Sequence, residues 1–308
     1  MKKKVALIMG GLSAERDVSL VTGAAFEKAL KELNYEFQVI DAKEDLPKIL
    51  AEKKSQIDVA LLALHGKLAE DGVVQGICEY LKIPYSGSGV LGSSLGFDKY
   101  FTKQILSFNK IPNARFELVH KKSVDWNQVT PPFDFPLVVK PSREGSSVGV
   151  SICKNTDEFV EGLKLAAQYD SEILVEEYLE GPELTVPILV DRALTPIEIR
   201  PKKGYYDYAN KYTSGNTEYI IPPELSAGQI AKLKDIALKA HRACRARVYS
   251  RIDFRMHKGE PYVMEINTLP GCTPTSLVPK AAAYEGISFT DFIQTLINHA
   301  GLDYEGVR

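Results

Sequence analysis

The chain has 308 residues and a mass of 34.1 kDa, a length that fits two or three domains at roughly 100 to 200 residues each and excludes a single small module. Its 38 Lys and Arg against 40 Asp and Glu leave a formal net charge of -2, without the basic excess of a general phosphate-backbone binder, so nucleic acid is excluded as a main partner. Hydrophobic residues at 44% and charged residues at 25% are ordinary globular usage, which excludes collagen-like, low-complexity and disordered chains.

In chain order, Val5 to Met9 is a continuous apolar run ending at Gly10-Gly11, and an apolar periodicity from Ser13 or Ala14 onward predicts strand, glycine turn and helix. The Lys-rich start followed by this run superficially resembles a signal peptide, but the run breaks at Gly10-Gly11 and enters Glu15-Arg16-Asp17. Strands are predicted at Phe37 to Ile40 and Val59 to Leu64, the latter ending on His65-Gly66, with a helix from Asp71 to Leu81. Buried strands alternating with helices predict a small Rossmann-like parallel α/β domain over residues 1–93, closed by the glycine-rich Ser86 to Gly89.

A helical pattern then runs from Leu95 to Asn109, followed by a proline-rich loop, Trp126 to Pro136. Strands are predicted at Leu137 to Lys140, Val148 to Cys153 and Ile173 to Leu179, with a helix over Asp157 to Tyr169, giving a small α+β unit over residues 94–180. Gly181-Pro182 opens a last unit, 181–308, with strands Leu184 to Val190 and Ile197 to Arg200 and a polar, tyrosine-rich segment from Gly204 to Tyr219. An amphipathic helix, Ser226 to Arg245, precedes a strand pair, Tyr249 to Met256 and Tyr262 to Asn267, and terminal helices; the sheet is expected to be mixed or antiparallel. Cys78, Cys153, Cys244 and Cys272 are scattered without a Cys-x-x-Cys pair and read as reduced thiols of a cytoplasmic protein. The apolar run Val59 to Leu64 is too short for a membrane span of about 20 residues.

Chemistry concentrates in the strand pair. Side chains alternate across a strand, so Glu265 and Asn267 share one face, as do Arg251 and Asp253. Paired through Lys258-Gly259-Glu260, they would gather two carboxylates, an amide oxygen and a guanidinium, hard oxygens of the kind that suit Mg²⁺ beside phosphate. A solvated outer face of a hairpin is an equal alternative on these residues alone. The segment Lys140 to Gly149, KPSREGSSVG, lies between strands with no following Lys-Ser/Thr helix start, so it is no Walker A loop. It reads as a flap whose backbone N–H groups approach phosphates, or as a plain linker. Lys99 and Lys140 complete a set of lysines, flap and acidic cluster with which ATP can be bound and cleaved.

The motifs GGLSAER with Val18-Ser19, His65-Gly66 with Glu70-Asp-Gly72, and Tyr85 to Gly89 occur in order with Lys140 to Gly149, Glu176 to Leu179 and Gly181-Pro-Glu183. Tyr206 to Tyr212, Arg251-Ile-Asp253, Glu265 to Gly271 and Ser276-Leu277 follow. In these the chain resembles, throughout its length, the D-alanine:D-alanine ligases of the ATP-grasp superfamily. The resemblance implies an ATP-grasp fold and a cytoplasmic homodimer that uses ATP and two Mg²⁺ ions, or Mn²⁺ in their place. It implies that ATP phosphorylates one D-alanine and that the amine of a second attacks the acyl phosphate, making D-alanyl-D-alanine for peptidoglycan precursors.

The same resemblance assigns catalytic roles to Glu15, Ser146, Tyr212, Arg251, Gly271 and Ser276, and places Val18, His65 and Leu277 at the substrate. Lys99, Lys140, Ser147, Glu176, Tyr178, Leu179, Glu183, Lys211 and Met264 would bind ATP, and Asp253, Glu265 and Asn267 the metal. A chain from Tyr212 through Ser146 to Glu15 would favour D-alanine over D-lactate as acceptor. Ala69, Asn210 and Ser250 depart from the family pattern, in which glycine is common at 69 and 250 and alanine at 210. Two alternatives stand beside this reading. One is a ligase with another acceptor, such as a D-alanine:D-lactate ligase, and the other is an ATP-binding regulatory module without catalysis, which would not require the whole charged set.

Overall fold

The computed structural model describes residues 2–43, 45–126, 128–202 and 216–304. Strands β1 (Val5–Met9), β2 (Phe37–Asp41) and β3 (Val59–Leu62) form a parallel sheet in the order β2-β1-β3, linked through helices α1 (Arg16–Glu32) and α2 (Leu46–Lys53) and followed by α3 (Val73–Leu81). All four residues of β3 are buried, as a strand covered on both faces requires. Gly10 and Gly11, at φ +78° and +87°, make the turn that a residue with a Cβ would resist. Here the parallel α/β pattern is as expected, though β3 ends two residues before Leu64.

The helical pattern over Leu95 to Asn109 is two helices, α4 (Val90–Phe97) and α5 (Lys99–Phe108). Asp98 breaks them: its backbone is extended, and its carboxylate accepts from the N–H of Tyr100 at 3.1 Å and of Phe101 at 3.2 Å, capping α5. Next come β4 (Phe116–His120), β5 (Leu137–Pro141), β6 (Ser151–Cys153), α6 (Thr156–Ala166) and β7 (Glu172–Glu177), whose strands form an antiparallel sheet ordered β4-β7-β5-β6. The strand expected from Val148 starts only at Ser151, because Ser146, Ser147 and Gly149 have positive φ and left-handed backbone does not continue a ladder.

The last sheet is antiparallel, ordered β11-β10-β8-β12-β13, with β9 (Arg192–Ala193) beside β8 (Glu183–Leu189). Its other members are β10 (Ile197–Pro201), β11 (Thr217–Ile220), β12 (Tyr249–His257) and β13 (Glu260–Asn267). Strand β11 falls at the end of the segment read as polar loop. Helix α7 (Ala227–Ala243) packs across this sheet, opened by a full capping box between Ser226 and Gln229. The cores cross sequence boundaries. Leu106 and Ile111 pack with the large antiparallel sheet, while α8 (Leu277–Tyr284) and α9 (Phe289–Asn298) bury Val278, Phe292 and Leu296 in the same core as the parallel sheet.

Asp98 ties this frame to the flap, since Ser142 Oγ donates to its carboxylate at 2.9 Å. Asp98→Ala removes the cap of the helix that begins with Lys99, and urea denaturation is expected to show a loss of about 1–2 kcal/mol, the scale of a lost cap. Unchanged stability would mean that the cap contributes nothing.

Candidate active site

Two cavities meet at the flap, the segment from Arg143 to Gly149. The larger, about 500 Å³, is walled by the start of α1, the loop after β3, the β12–β13 pair and the loop from Gly271 to Leu277. The smaller, about 150 Å³, lies between the four-stranded and the large antiparallel sheets. Lys99, Glu144, Gly145, Ser146 and Glu265 border both, so the two cavities adjoin.

In the larger cavity, Glu15 stands at the N-cap position of α1, where its charge also suits the positive helix end. The Ser146 hydroxyl donates to the Glu15 carboxylate, joining the flap to the parallel unit. His65 is buried, with Nε2 at 3.0 Å from Thr22 Oγ1 and Nδ1 at 3.5 Å from Glu70 Oε1. Val18, Leu277, Ser276 and Gly271 complete the wall. Ser276 Oγ accepts from the Thr273 N–H at 3.0 Å, which orders the loop after Gly271.

The strand pair gathers its polar residues as its alternation predicts. Arg251 is opposite Asn267 and Asp253 opposite Glu265 in the antiparallel register, so all four share one face. Lys258 and Gly259, at φ +52° and +80°, make the tight turn between the strands. Arg251 donates twice to Asp253, from Nε at 2.8 Å and Nη2 at 2.7 Å, and Thr185 Oγ1 donates to the same carboxylate at 2.6 Å. Lys99 Nζ is 3.6 Å from Glu265 Oε2 and donates to the Glu144 carbonyl at 2.5 Å. Among the described residues no three His, Cys, Asp or Glu side chains converge as a metal cluster. The donor set that does converge is Asp253, Glu265 and Asn267, two carboxylates and an amide, each carboxylate facing a cationic side chain. That set fits a hard divalent cation, which prefers oxygen ligands and would take the place of those side-chain cations.

Lys140, Ser147, Tyr178, Leu179, Glu183 and Met264 all line the smaller cavity, with Val138 and Ile152 adding an apolar wall. A cavity that combines apolar side chains with lysines suits an aromatic base carrying phosphates. Burial lowers the Lys140 ammonium to a pKa of about 8, with the Lys99 charge acting the same way and Glu265 opposing. Glu183 is held by Arg255 Nη2 at 3.0 Å. Glu176 lies on neither cavity wall. It is fully buried behind Lys140, with Oε2 at 2.5 Å from Lys140 Nζ and Oε1 at 2.6 Å from Lys103 Nζ. Lys211 and Tyr212, with Tyr206, Tyr208 and Asn210, lie outside the described residues.

Sequence reasoning did not find Thr22, Thr185, Glu144 or Lys103 as partners of the site, and took Glu70 only as part of a motif. The one signal for Lys103 is its place four residues after Lys99, which puts both on one face of α5. Of the departures noted, Ala69 carries no positive φ; that conformation falls on Leu68 at +68°. Ser250 is buried and its hydroxyl is 2.7 Å from His241 Nδ1.

The family model for the C-terminus of D-ala D-ala ligase matches residues 104–298, and that for the N-terminus matches residues 41–88. The chain is 44% identical over 306 residues to the D-alanine–D-alanine ligase of Geobacter sulfurreducens, covering 98% of this chain and 96% of that protein. It is 43% identical to that of Syntrophotalea carbinolica, with 98% and 97% covered. Among solved structures, D-alanine–D-alanine ligase from Bacillus anthracis complexed with ATP has a TM-score of 0.84 at 37% identity, covering 97% of this chain and 96% of that one. The likeness runs through all three sheets, the ATP-grasp arrangement expected from the sequence.

Proposed function

The chain belongs to the D-alanine–D-alanine ligase family, and we propose that its two joined cavities make D-alanyl-D-alanine from two D-alanines and ATP. The observation that carries this reading is the shared wall: Lys99, the flap and Glu265 border both the cavity lined by Lys140, Tyr178 and Met264 and the larger one lined by Glu15, His65 and Arg251. The smaller cavity takes ATP with its base against Val138, Ile152 and Met264 and its phosphates toward Lys140, Lys99 and the flap.

Glu15 would hold the ammonium of the first D-alanine, with His65 beside it. The D-alanine carboxylate attacks the terminal phosphorus, the bond to ADP breaks, and an acyl phosphate forms. The amine of the second D-alanine, once deprotonated, attacks the acyl carbonyl; the tetrahedral oxyanion collapses, phosphate leaves and the peptide bond is made. Arg251 would neutralise the oxyanion and departing phosphate, and the Gly271 N–H would donate to the same oxygen. Two Mg²⁺ ions held by Asp253, Glu265 and Asn267 would supply charge neutralisation on the phosphates. Water is kept out by the flap, whose Ser146 hydroxyl closes onto Glu15.

The product is a precursor of peptidoglycan, and the enzyme is read as a cytoplasmic homodimer. Reduced thiols support the compartment: all four cysteines are free and buried. No described helix is long and apolar enough to cross a membrane.

Phosphate release with ATP, Mg²⁺ and D-alanine, with L-alanine as control, tests the reaction; no D-alanine-dependent release would overturn it. Arg251→Met is expected to lower kcat by about 100-fold or more, the scale of a lost oxyanion partner, whereas a rise confined to the KM for ATP would make Arg251 a binding residue only. A second expectation concerns pH. Because burial pushes the Lys140 pKa down to about 8, the ammonium form prevails below that pH and the neutral amine above it. Calorimetry should show ADP affinity falling as pH rises through 8 and beyond, above the range in which the terminal phosphate of ADP titrates. In Lys140→Met the part of that fall due to this ammonium should vanish, and an identical profile in both proteins would exclude it.

A further inference from the structure

Thr185 is fully buried on β8 and lines neither cavity, and no step proposed above uses its hydroxyl. The antiparallel register sets Thr185 directly opposite Asp253, and Asp253 opposite Glu265, so the three side chains form one row across β8, β12 and β13. A bulge follows at once: Phe254 pairs with Val263, which leaves Met264 without a partner on β12. Bulges of this kind re-aim side chains beside sites, and here Asp253, Met264 and Glu265 all line the smaller cavity. Thr185 Oγ1 lies 2.6 Å from Asp253 Oδ1 and 3.4 Å from the Ile252 carbonyl, and its single proton goes to the nearer, charged acceptor. Arg251 Nε donates to the same Oδ1 at 2.8 Å, whereas Oδ2 accepts, among the described residues, only from Arg251 Nη2 at 2.7 Å. A carboxylate oxygen offers two lone pairs, so Oδ1 is filled and Oδ2 is not.

We propose that Thr185 is a positioning residue for the metal: its hydroxyl ties Oδ1 of Asp253 to β8, so that the carboxylate meets a cation through Oδ2 alone. The proposal rests on the reading of Asp253, Glu265 and Asn267 as metal ligands. Thr185 carries no charge and bonds from the neighbouring strand, so a cation that displaces the Arg251 guanidinium leaves this hydrogen bond in place. One-oxygen ligation suits Mg²⁺, which takes near-octahedral ligands at about 2.0–2.1 Å, and disfavours Ca²⁺, which at about 2.3–2.6 Å readily spans both oxygens of one carboxylate. Thr185 would thus set which cation the site prefers as well as how firmly it is held. A valine would fill the same space without the hydroxyl, leaving Oδ1 free to turn toward the cation.

The test reads metal binding rather than turnover, on the full chain with ADP bound, by the electron paramagnetic resonance of Mn²⁺ and its displacement by Mg²⁺ or Ca²⁺. Circular dichroism confirms the fold. Thr185→Val is expected to weaken Mn²⁺ in the ADP complex by about tenfold or more, the scale of a lost outer-shell partner of a metal ligand, and to leave metal-free ADP binding within about twofold. The preference for Mg²⁺ over Ca²⁺ should fall by about fivefold or more, since both oxygens become available to the larger ion. Thr185→Ser keeps the hydroxyl and should stay within about threefold of the parent in both measurements. Thr185→Ala is read in place of the valine variant if that one does not fold. A folded variant lacking the hydroxyl that keeps the parent's preference for Mg²⁺ over Ca²⁺ would overturn the proposal, whatever its Mn²⁺ affinity. So would a serine variant as impaired as the valine one, or an equal loss of metal-free ADP binding, which would make Thr185 a scaffold residue. A parent chain whose ADP complex binds no Mn²⁺ would instead overturn the reading of Asp253, Glu265 and Asn267 as metal ligands.

Discussion

The exchangeable pairing of Arg251 with Asp253 and of Lys99 with Glu265 is the constraint on which the rest of the site depends. Four charges of alternating sign sit on or against one face of the β12–β13 hairpin, with Lys99 and Glu265 at the wall common to both cavities, Arg251 on the larger and Asp253 on the smaller. Isolated, each would carry a desolvation cost of several kcal/mol in so enclosed a place. Paired, they are already aimed when substrates arrive. A bidentate guanidinium pair is rigid, and Thr185 holds the same carboxylate from a neighbouring strand. On the proposed reading, phosphate and metal charges would replace existing partners and need not order loose side chains.

The flap inherits its position from these charges. Lys99 grips its backbone at Glu144, the Glu144 side chain pairs with Lys67 from the loop after β3, and Ser146 donates to Glu15. Three contacts thus join one short segment to α5 and to two elements of the parallel unit. Two consecutive left-handed residues, Ser146 and Ser147, cost of order 1 kcal/mol each, a strain that these contacts offset. A flap held in this way over charged groups keeps water from the acyl phosphate, which hydrolysis would otherwise waste.

Much of this was legible in the sequence where one local rule governs the outcome. The face shared by Arg251, Asp253, Glu265 and Asn267 follows from period-two alternation and one tight turn, and the register bears it out. The strand, glycine turn and helix at the start follow from a buried run and two glycines. Other features depend on partners that no local pattern records. The break at Asp98 was hidden because apolar residues continue through it, and the cap acts through backbone N–H groups. Strand β4 has no buried residue and lies at a sheet edge, so it has no apolar run to find. Lys103 reads as a solvated helix residue until Glu176, 73 positions later in the sequence, is seen against it.

That last contrast explains why the charged residues of this chain divide so unevenly. Exposed pairs such as Lys239 with Asp235 are worth little, about 0–1 kcal/mol, and moving them would alter little else. Buried pairs around the cavities are costly for stability and are held in a lattice of several partners, so each constrains its neighbours. Glu176 couples Lys103 to Lys140, Asp253 couples Thr185 to Arg251, and Glu15 couples α1 to the flap. The apolar cores need only fill space, whereas this buried polar network fixes how charge is distributed along and behind the cavity walls.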